Sequence, residues 1–133
     1  MNTPAQTVLQ FIVAYHDWND RASSHSKVYE NGSEAARSAI QAAEHEYSEL
    51  INRFCMDSVT PQPISFGDDP MHGPASETIE HTDIDGETAI VRTKNIGMHD
   101  FVSEYEYHLK HSGDEWRIDS VLYMDEDGKY ECL

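Results

Sequence analysis

Over the first 54 positions, apolar residues recur at three- and four-residue intervals. Val8, Phe11, Ile12 and Tyr15 share one helical face, and Leu9 and Trp18 widen it. The start of this helix is legible: Thr3 caps, Pro4 takes the first helical position, and Gln6 completes a capping box. The polar stretch from Asn19 to Gly32 predicts a loop. A second helix is predicted from Ser33, whose hydroxyl can cap, to about Phe54. Its apolar stripe is Ala36, Ile40, Ala43, Tyr47, Leu50, Ile51 and Phe54.

Residues 55–76 keep neither period. Pro61, Pro63, Pro70 and Pro74, set among Gly67 and Gly73, forbid a helix and interrupt any ladder. Ile64-Ser65-Phe66 reads as one short strand and the rest as a long loop, of a length that often carries function. From Thr78 the period is two. Thr78–Ile84 and Glu87–Lys94 flank Asp85-Gly86, a dipeptide favoured in two-residue hairpin turns. Phe101–His111 and Asp114–Met124 flank Ser112-Gly113 in the same manner. Two long helices followed by an antiparallel meander predict an α+β domain spanning residues 1–133, its helices covering one sheet face.

A turn at Ser112-Gly113 sets His111 opposite Asp114. Leu109 then faces Trp116, Tyr107 faces Ile118, Ser103 faces Leu122 and Phe101 faces Met124, all on an apolar side directed at the helices. The other side sets Lys110 against Glu115, a favourable pair, and Glu106 against Asp119, with Glu104 two residues along. Like charges directly across a ladder destabilise it. A chain tolerates that cost where a cationic partner neutralises the group.

Charge strengthens this expectation. The 133 residues carry nine Lys+Arg against 25 Asp+Glu, a formal net charge of −16. Such a surface excludes nucleic-acid binding and attachment to anionic membranes, which both need a basic face. It suits a basic protein partner, because complementary fields speed encounter. Residues 63–133 alone hold 17 acids and five bases, so most of the excess falls on the loop-and-sheet half. The expected contact surface is Glu104, Glu106 and Asp119 on the sheet, Asp68 and Asp69 in the proline-rich loop, and Asp125, Glu126 and Asp127 after the last strand.

No metal or cofactor is expected. The Asp125-to-Gly128 run lacks the alternating ligands and closing Glu of a calcium loop. No H-E-x-x-H occurs among the eight histidines, and His108 and His111 would point to opposite faces of a strand. Cys55 and Cys132 read as two reduced thiols. No run is long and apolar enough to span a membrane, and the Met1-Asn2-Thr3-Pro4 start lacks the pattern of a secretory leader, so the cytosol is the expected location.

The rival to a binding surface is acid–base chemistry inside a curled sheet. One side of the first hairpin carries Ile79, His81, Asp83, Ile90 and Arg92. If that side faces inward, His81, Asp83 and Arg92 form a small polar site; the sequence leaves the buried face open. The inward side of the last hairpin offers Ser103, Tyr105, Tyr107 and Ser120, but no carboxylate or histidine.

Three stretches carry a family likeness: Phe11-Ile12-Val13-Ala14-Tyr15-His16-Asp17-Trp18-Asn19, Pro63-Ile64-Ser65-Phe66-Gly67, and Ser103-Glu104-Tyr105-Glu106-Tyr107 through Glu115-Trp116-Arg117-Ile118-Asp119-Ser120-Val121. Across nearly its full length the chain resembles the nuclear transport factor 2-like fold immunity proteins of bacterial polymorphic toxin systems, including those beside rearrangement-hotspot (Rhs) toxin genes. The resemblance implies a cone-shaped fold with helices packed on a strongly curved sheet. It also implies function by occlusion: binding a cognate toxin domain in the producing cell and blocking it. Enzymes share this fold, ketosteroid-isomerase-like proteins among them, so fold alone does not choose. An anionic sheet with no catalytic set suits a plug for a basic toxin, with a nuclease the leading class. The alternative is a small-molecule binder or an isomerase- or dehydratase-like enzyme using the cone interior.

Overall fold

The computed structural model describes every residue except Met1, Ser65, Asp68 and Asp69. Helix α1 spans Pro4–Ser26. Its capping box forms as expected: Thr3 Oγ1 accepts from the Gln6 N–H at 3.1 Å, and Gln6 Oε1 accepts from the Thr3 N–H at 2.9 Å. The predicted loop after Trp18 is helical as far as Ser26, because Asn19, Ala22 and Ser23 continue the buried face. Polar composition misled there; an amide and a hydroxyl are buried by packing that periodicity cannot show.

Helix α2 spans Glu34–Phe54 and is capped by Ser33, whose Oγ accepts from the Ala36 N–H at 3.1 Å. Its buried side is Ala39, Ala43, Tyr47, Leu50, Ile51 and Phe54, whereas Ile40 is 42% exposed. The two helices pack together, and the buried Trp18 indole N–H donates to the Ala43 carbonyl at 2.9 Å.

The sheet is an open, curved meander of β1 (Glu77–Asp85), β2 (Thr88–Ile96), β3 (Val102–Ser112), β4 (Glu115–Asp125) and β5 (Gly128–Glu131), ordered as in the sequence. No strand forms at Ile64 or Phe66, and Ser65 lies outside the described residues. The core lies between the helices and one sheet face, where Val8, Phe11, Ile12 and Ile51 meet Val91, Tyr107, Leu109, Ile118 and Val121. Where α2 ends, Cys55 bridges to Ile118, and the Met56 N–H donates to the Ile118 carbonyl at 2.8 Å. Arg117 Nε donates to the Cys55 carbonyl at 2.8 Å, and Nη2 donates to the Asn52 carbonyl. A guanidinium thus sits at the negative end of the helix dipole.

Both long hairpins differ in register from the expectation. The two-residue turns are Gly86-Glu87 and Gly113-Asp114, with the glycines at φ 62° and 63°. Glycine takes the first central position, where a positive φ is required, so each closing pair moves along by one residue. Each hairpin also carries a bulge, at Glu80 in β1 and at Asp119 in β4. The second bulge reverses the faces of β4 beyond it: Ile118 and Val121 face the core, while Ser120 and Leu122 pair with His108 and Glu106. The expected Glu106–Asp119 pair therefore does not form, since Glu106 sits opposite Leu122. Lys110 lies opposite Arg117 and reaches Asp119 at 3.6 Å instead of Glu115. Phe101, expected against the helices, precedes β3 and is 62% exposed.

Candidate functional site

The core side of the sheet holds a buried polar cluster that the sequence did not announce. Asn95 Nδ2 donates to the Met71 carbonyl at 2.9 Å, and the Glu77 N–H donates to the Gly73 carbonyl at 2.8 Å. These bonds tuck the end of the proline-rich segment under α1. Gly73 permits the approach, because a β-carbon there would sit 2.9 Å from His16 Cδ2. His72 is thereby inserted among Phe11, Tyr15, Tyr105 and Tyr107, with ring centroids 4.7 to 5.8 Å away.

The carboxylate of Glu77 collects the donors around it. His72 Nδ1 lies 2.6 Å from Oε1; Tyr107 and Thr93 donate their hydroxyl hydrogens to Oε2 at 2.7 and 2.5 Å. Burial pushes the Glu77 pKa up, but the charge of His72 and the three hydrogen bonds together hold it below its ordinary 4.5. Tyr107 moves the opposite way, well above 10, through burial first and then the neighbouring carboxylate. His72 Nε2 has no hydrogen-bond partner. A carboxylate, an imidazole and a phenol in contact could relay a proton, but substrate would have to reach them. His72 and Tyr107 are fully buried and Glu77 is 4% exposed. A pocket of about 150 Å³ has Tyr15, Trp18, Tyr47, Met71 and Cys132 in its wall, and none of the three belongs to it.

His81, Asp83 and Arg92 are on one side of the first hairpin, as expected, but that side faces solvent. Their side chains are 58%, 67% and 52% exposed, and His81 Nε2 lies 3.1 Å from Asp83 Oδ2. The inward residues of β2 are Ala89, Val91, Thr93 and Asn95. An acid–base site in the cone built from His81, Asp83 and Arg92 is therefore overturned.

The outer sheet face is organised by Glu106, whose side chain is only 2% exposed. Arg92 Nε donates to Oε2 at 3.2 Å, His108 Nε2 lies 2.6 Å from Oε1, and Lys129 Nζ reaches both oxygens at 3.2 Å. Burial pushes its pKa up, yet hydrogen bonds from His108 and Lys129, with their charge, leave it below 4.5. Glu106 is thus covered by cations of its own chain instead of standing free for a partner's. The other sheet and tail acids stay at the surface. Glu104 is exposed opposite Lys94 and Met124, and Asp119 is half-buried in its bulge beside Lys110. Asp125, Glu126 and Asp127 form the exposed β4–β5 turn, where Asp125 Oδ1 accepts from the N–H groups of Asp127 and Gly128 at 2.8 and 3.0 Å. Asp68 and Asp69 lie outside the described residues. Among the described residues, no group of three or more His, Cys, Asp or Glu is placed to hold a metal ion, and no helix is long and apolar enough to cross a membrane.

Cys55 and Cys132 are free thiols, both pushed up to about 12, chiefly by burial. Sequence reasoning missed His72 and Glu77. His72 sits in a proline-rich stretch without periodicity, and Glu77 lies one residue ahead of the first predicted strand. The signal that could have pointed to them is Glu77 entering a strand whose partner presents Thr93 and Asn95 at alternate positions.

Residues 3–131 match the family model described as NTF2 fold immunity protein. No curated protein and no solved structure matches the chain.

Proposed function

The chain belongs to the family of NTF2 fold immunity proteins, and on that premise we propose that it binds a cognate secreted toxin domain in the cytosol and blocks it. The observation that carries this reading is the family match itself, which runs through both helices and all five strands. Charge supports the class of partner. With a net −16 and Glu104, Asp125, Glu126 and Asp127 exposed, the surface complements a basic protein. Nucleases are basic because their substrates are polyanions, so a nuclease is the leading class of toxin.

The same reading makes the chain a binder with no turnover of its own. The cone interior offers one set with proton-transfer chemistry, His72, Glu77 and Tyr107, and that set is sealed by aromatic rings. It serves to hold a charge in the core. The test is co-expression with a candidate C-terminal toxin domain taken from a neighbouring gene. Cells making the toxin domain should grow only when this chain is present, and the two should co-purify. Unprotected cells, or protection without a complex, would refute occlusion.

A further inference from the structure

The β2–β3 connection displays apolar side chains where a soluble chain normally hides them. Ile96 and Val102 are direct partners on the outer face and are 50% and 46% exposed. Between them, Met98 is 50% and Phe101 62% exposed. Single exposed apolar residues are ordinary, but four within seven positions form a patch. The connection is also held in one shape. The Gly97 N–H donates to the Phe101 carbonyl at 2.8 Å, the Phe101 N–H to the Met98 carbonyl at 3.2 Å, and the Ile96 N–H to the Ser76 carbonyl at 2.9 Å. His99 and Asp100 follow each other at φ 58° and 59°, a left-handed pair that turns the chain sharply and projects its flanks. A tip fixed in advance loses little entropy on binding.

Strand order places the acidic turn at the same end of the sheet. β3 begins beside the end of β4, with Glu104 opposite Met124 and Met124 opposite Lys129. Asp125, Glu126 and Asp127 thus rim the apolar tip on one side, while Asp100 and Glu104 flank it along the chain. Against these five acids stand Lys94 and Lys129, and Lys129 is turned to Glu106. An apolar, aromatic centre inside a charged rim is the anatomy of a protein–protein hot spot. The rim also selects the occupant. A second copy of this chain would set the same five acids against one another, and nucleic acid or anionic lipid would be repelled likewise.

We propose that the β2–β3 tip is the hot spot by which this chain grips its toxin, Phe101 entering an apolar pocket rimmed by the partner's Lys and Arg. This rests on the immunity reading and names its surface. The acids of the β4–β5 turn steer the approach, and Phe101 determines how long the complex lasts.

The test measures binding of the full chain to the immobilised toxin domain against which it protects in the co-expression experiment. Phe101→Ala should weaken binding by about thirty-fold or more, mainly through faster dissociation. Glu126→Lys with Asp127→Lys should slow association at low salt and flatten its salt dependence. Ile84→Ala is the control: Ile84 is 59% exposed at the opposite end of the sheet and should bind as wild type. All variants should keep the wild-type thermal midpoint within about 2 °C, since surface substitutions are nearly neutral. If wild type binds and Phe101→Ala binds within threefold of it, the surface is wrong while the immunity reading stands. If wild type does not bind, the immunity reading fails and this inference falls with it. A wild-type dimer in free solution that Phe101→Ala dissociates would make the occupant a second copy, overturning the proposal.

Discussion

Replacing Tyr107 by Phe removes one oxygen atom from the middle of the core and leaves the ring in place. Tyr107 is fully buried, so the ring continues to fill the same space against Phe11 and His72. What is lost is an O–H···O bond of 2.7 Å to an ionised carboxylate, together with a 2.9 Å contact to His72 Nδ1. Hydrogen bonds to charged groups contribute about 1.5–3 kcal/mol each. Glu77 would retain His72 and Thr93, so no charge is orphaned, and the variant no longer has to desolvate a hydroxyl. The expected loss is therefore near the middle of that range, about 2 kcal/mol. In a domain of this size it should lower the thermal midpoint by about 6–10 °C.

The pH dependence has a definite sign. Glu77 has a folded-state pKa below its ordinary 4.5, so its contribution is complete above that value and is lost as pH falls through the folded pKa. The gap between wild type and Tyr107→Phe should accordingly be constant from pH 7 to 5 and shrink below about pH 4.5, because a neutral acceptor makes the weaker bond. Urea titrations at several pH values measure it directly. A gap under about 0.5 kcal/mol at pH 7, the range of an uninvolved surface change, would refute the charge-assisted bond. A gap that widens on acidification would show that the Tyr107 hydroxyl favours the protonated form of Glu77, the opposite of a charge-assisted bond.

Two further substitutions test the outer face and the proline-rich segment. Glu106→Gln should cost about 1–3 kcal/mol in urea unfolding at pH 7, because Arg92, His108 and Lys129 lose the carboxylate they share; those neighbours stay partly solvated, which limits the loss. Since the folded pKa of Glu106 is also below 4.5, that deficit should shrink as pH falls past about 4.5. Asn19→Ala removes a two-bond clamp, in which the amide donates to the Gly67 carbonyl at 2.8 Å and accepts from the Gly67 N–H at 3.1 Å. It should cost about 1–2 kcal/mol and speed limited proteolysis within residues 60–72, with the helices cut no faster than in wild type.

The helices were readable because their signals are local. A cap, a proline at the first position and apolar residues every three or four positions act within a few residues of chain, and Thr3, Pro4, Gln6 and Ser33 behave in the structure as their chemistry requires. The inward set of β3 was readable likewise, since alternation alone places Tyr105, Tyr107 and Leu109 together. The partners across the ladder were not. One residue's difference in which position of a glycine-containing turn is central, followed by a bulge, gave Glu106 the neighbour Leu122 in place of Asp119. An acid predicted to stand free became the covered centre of Arg92, His108 and Lys129, three groups contributed by β2, β3 and β5.

By itself, then, the sequence determined the α+β class, the order of helices before strands and the net negative charge of −16. These follow from propensity, period and composition, which are properties of short segments or of the whole chain. Only the tertiary structure decided that His72 and Glu77 meet inside the cone, that His81, Asp83 and Arg92 face water, and that Phe101 stands out beside the acidic β4–β5 turn. Each of these depends on strand pairing and packing against residues distant in sequence: His72 and Glu77 are five residues apart, but they meet on Thr93 of β2 and Tyr107 of β3. The free energy that selects such an arrangement comes from packing and charge satisfaction across the ladder, and no short window of the chain contains all of its partners.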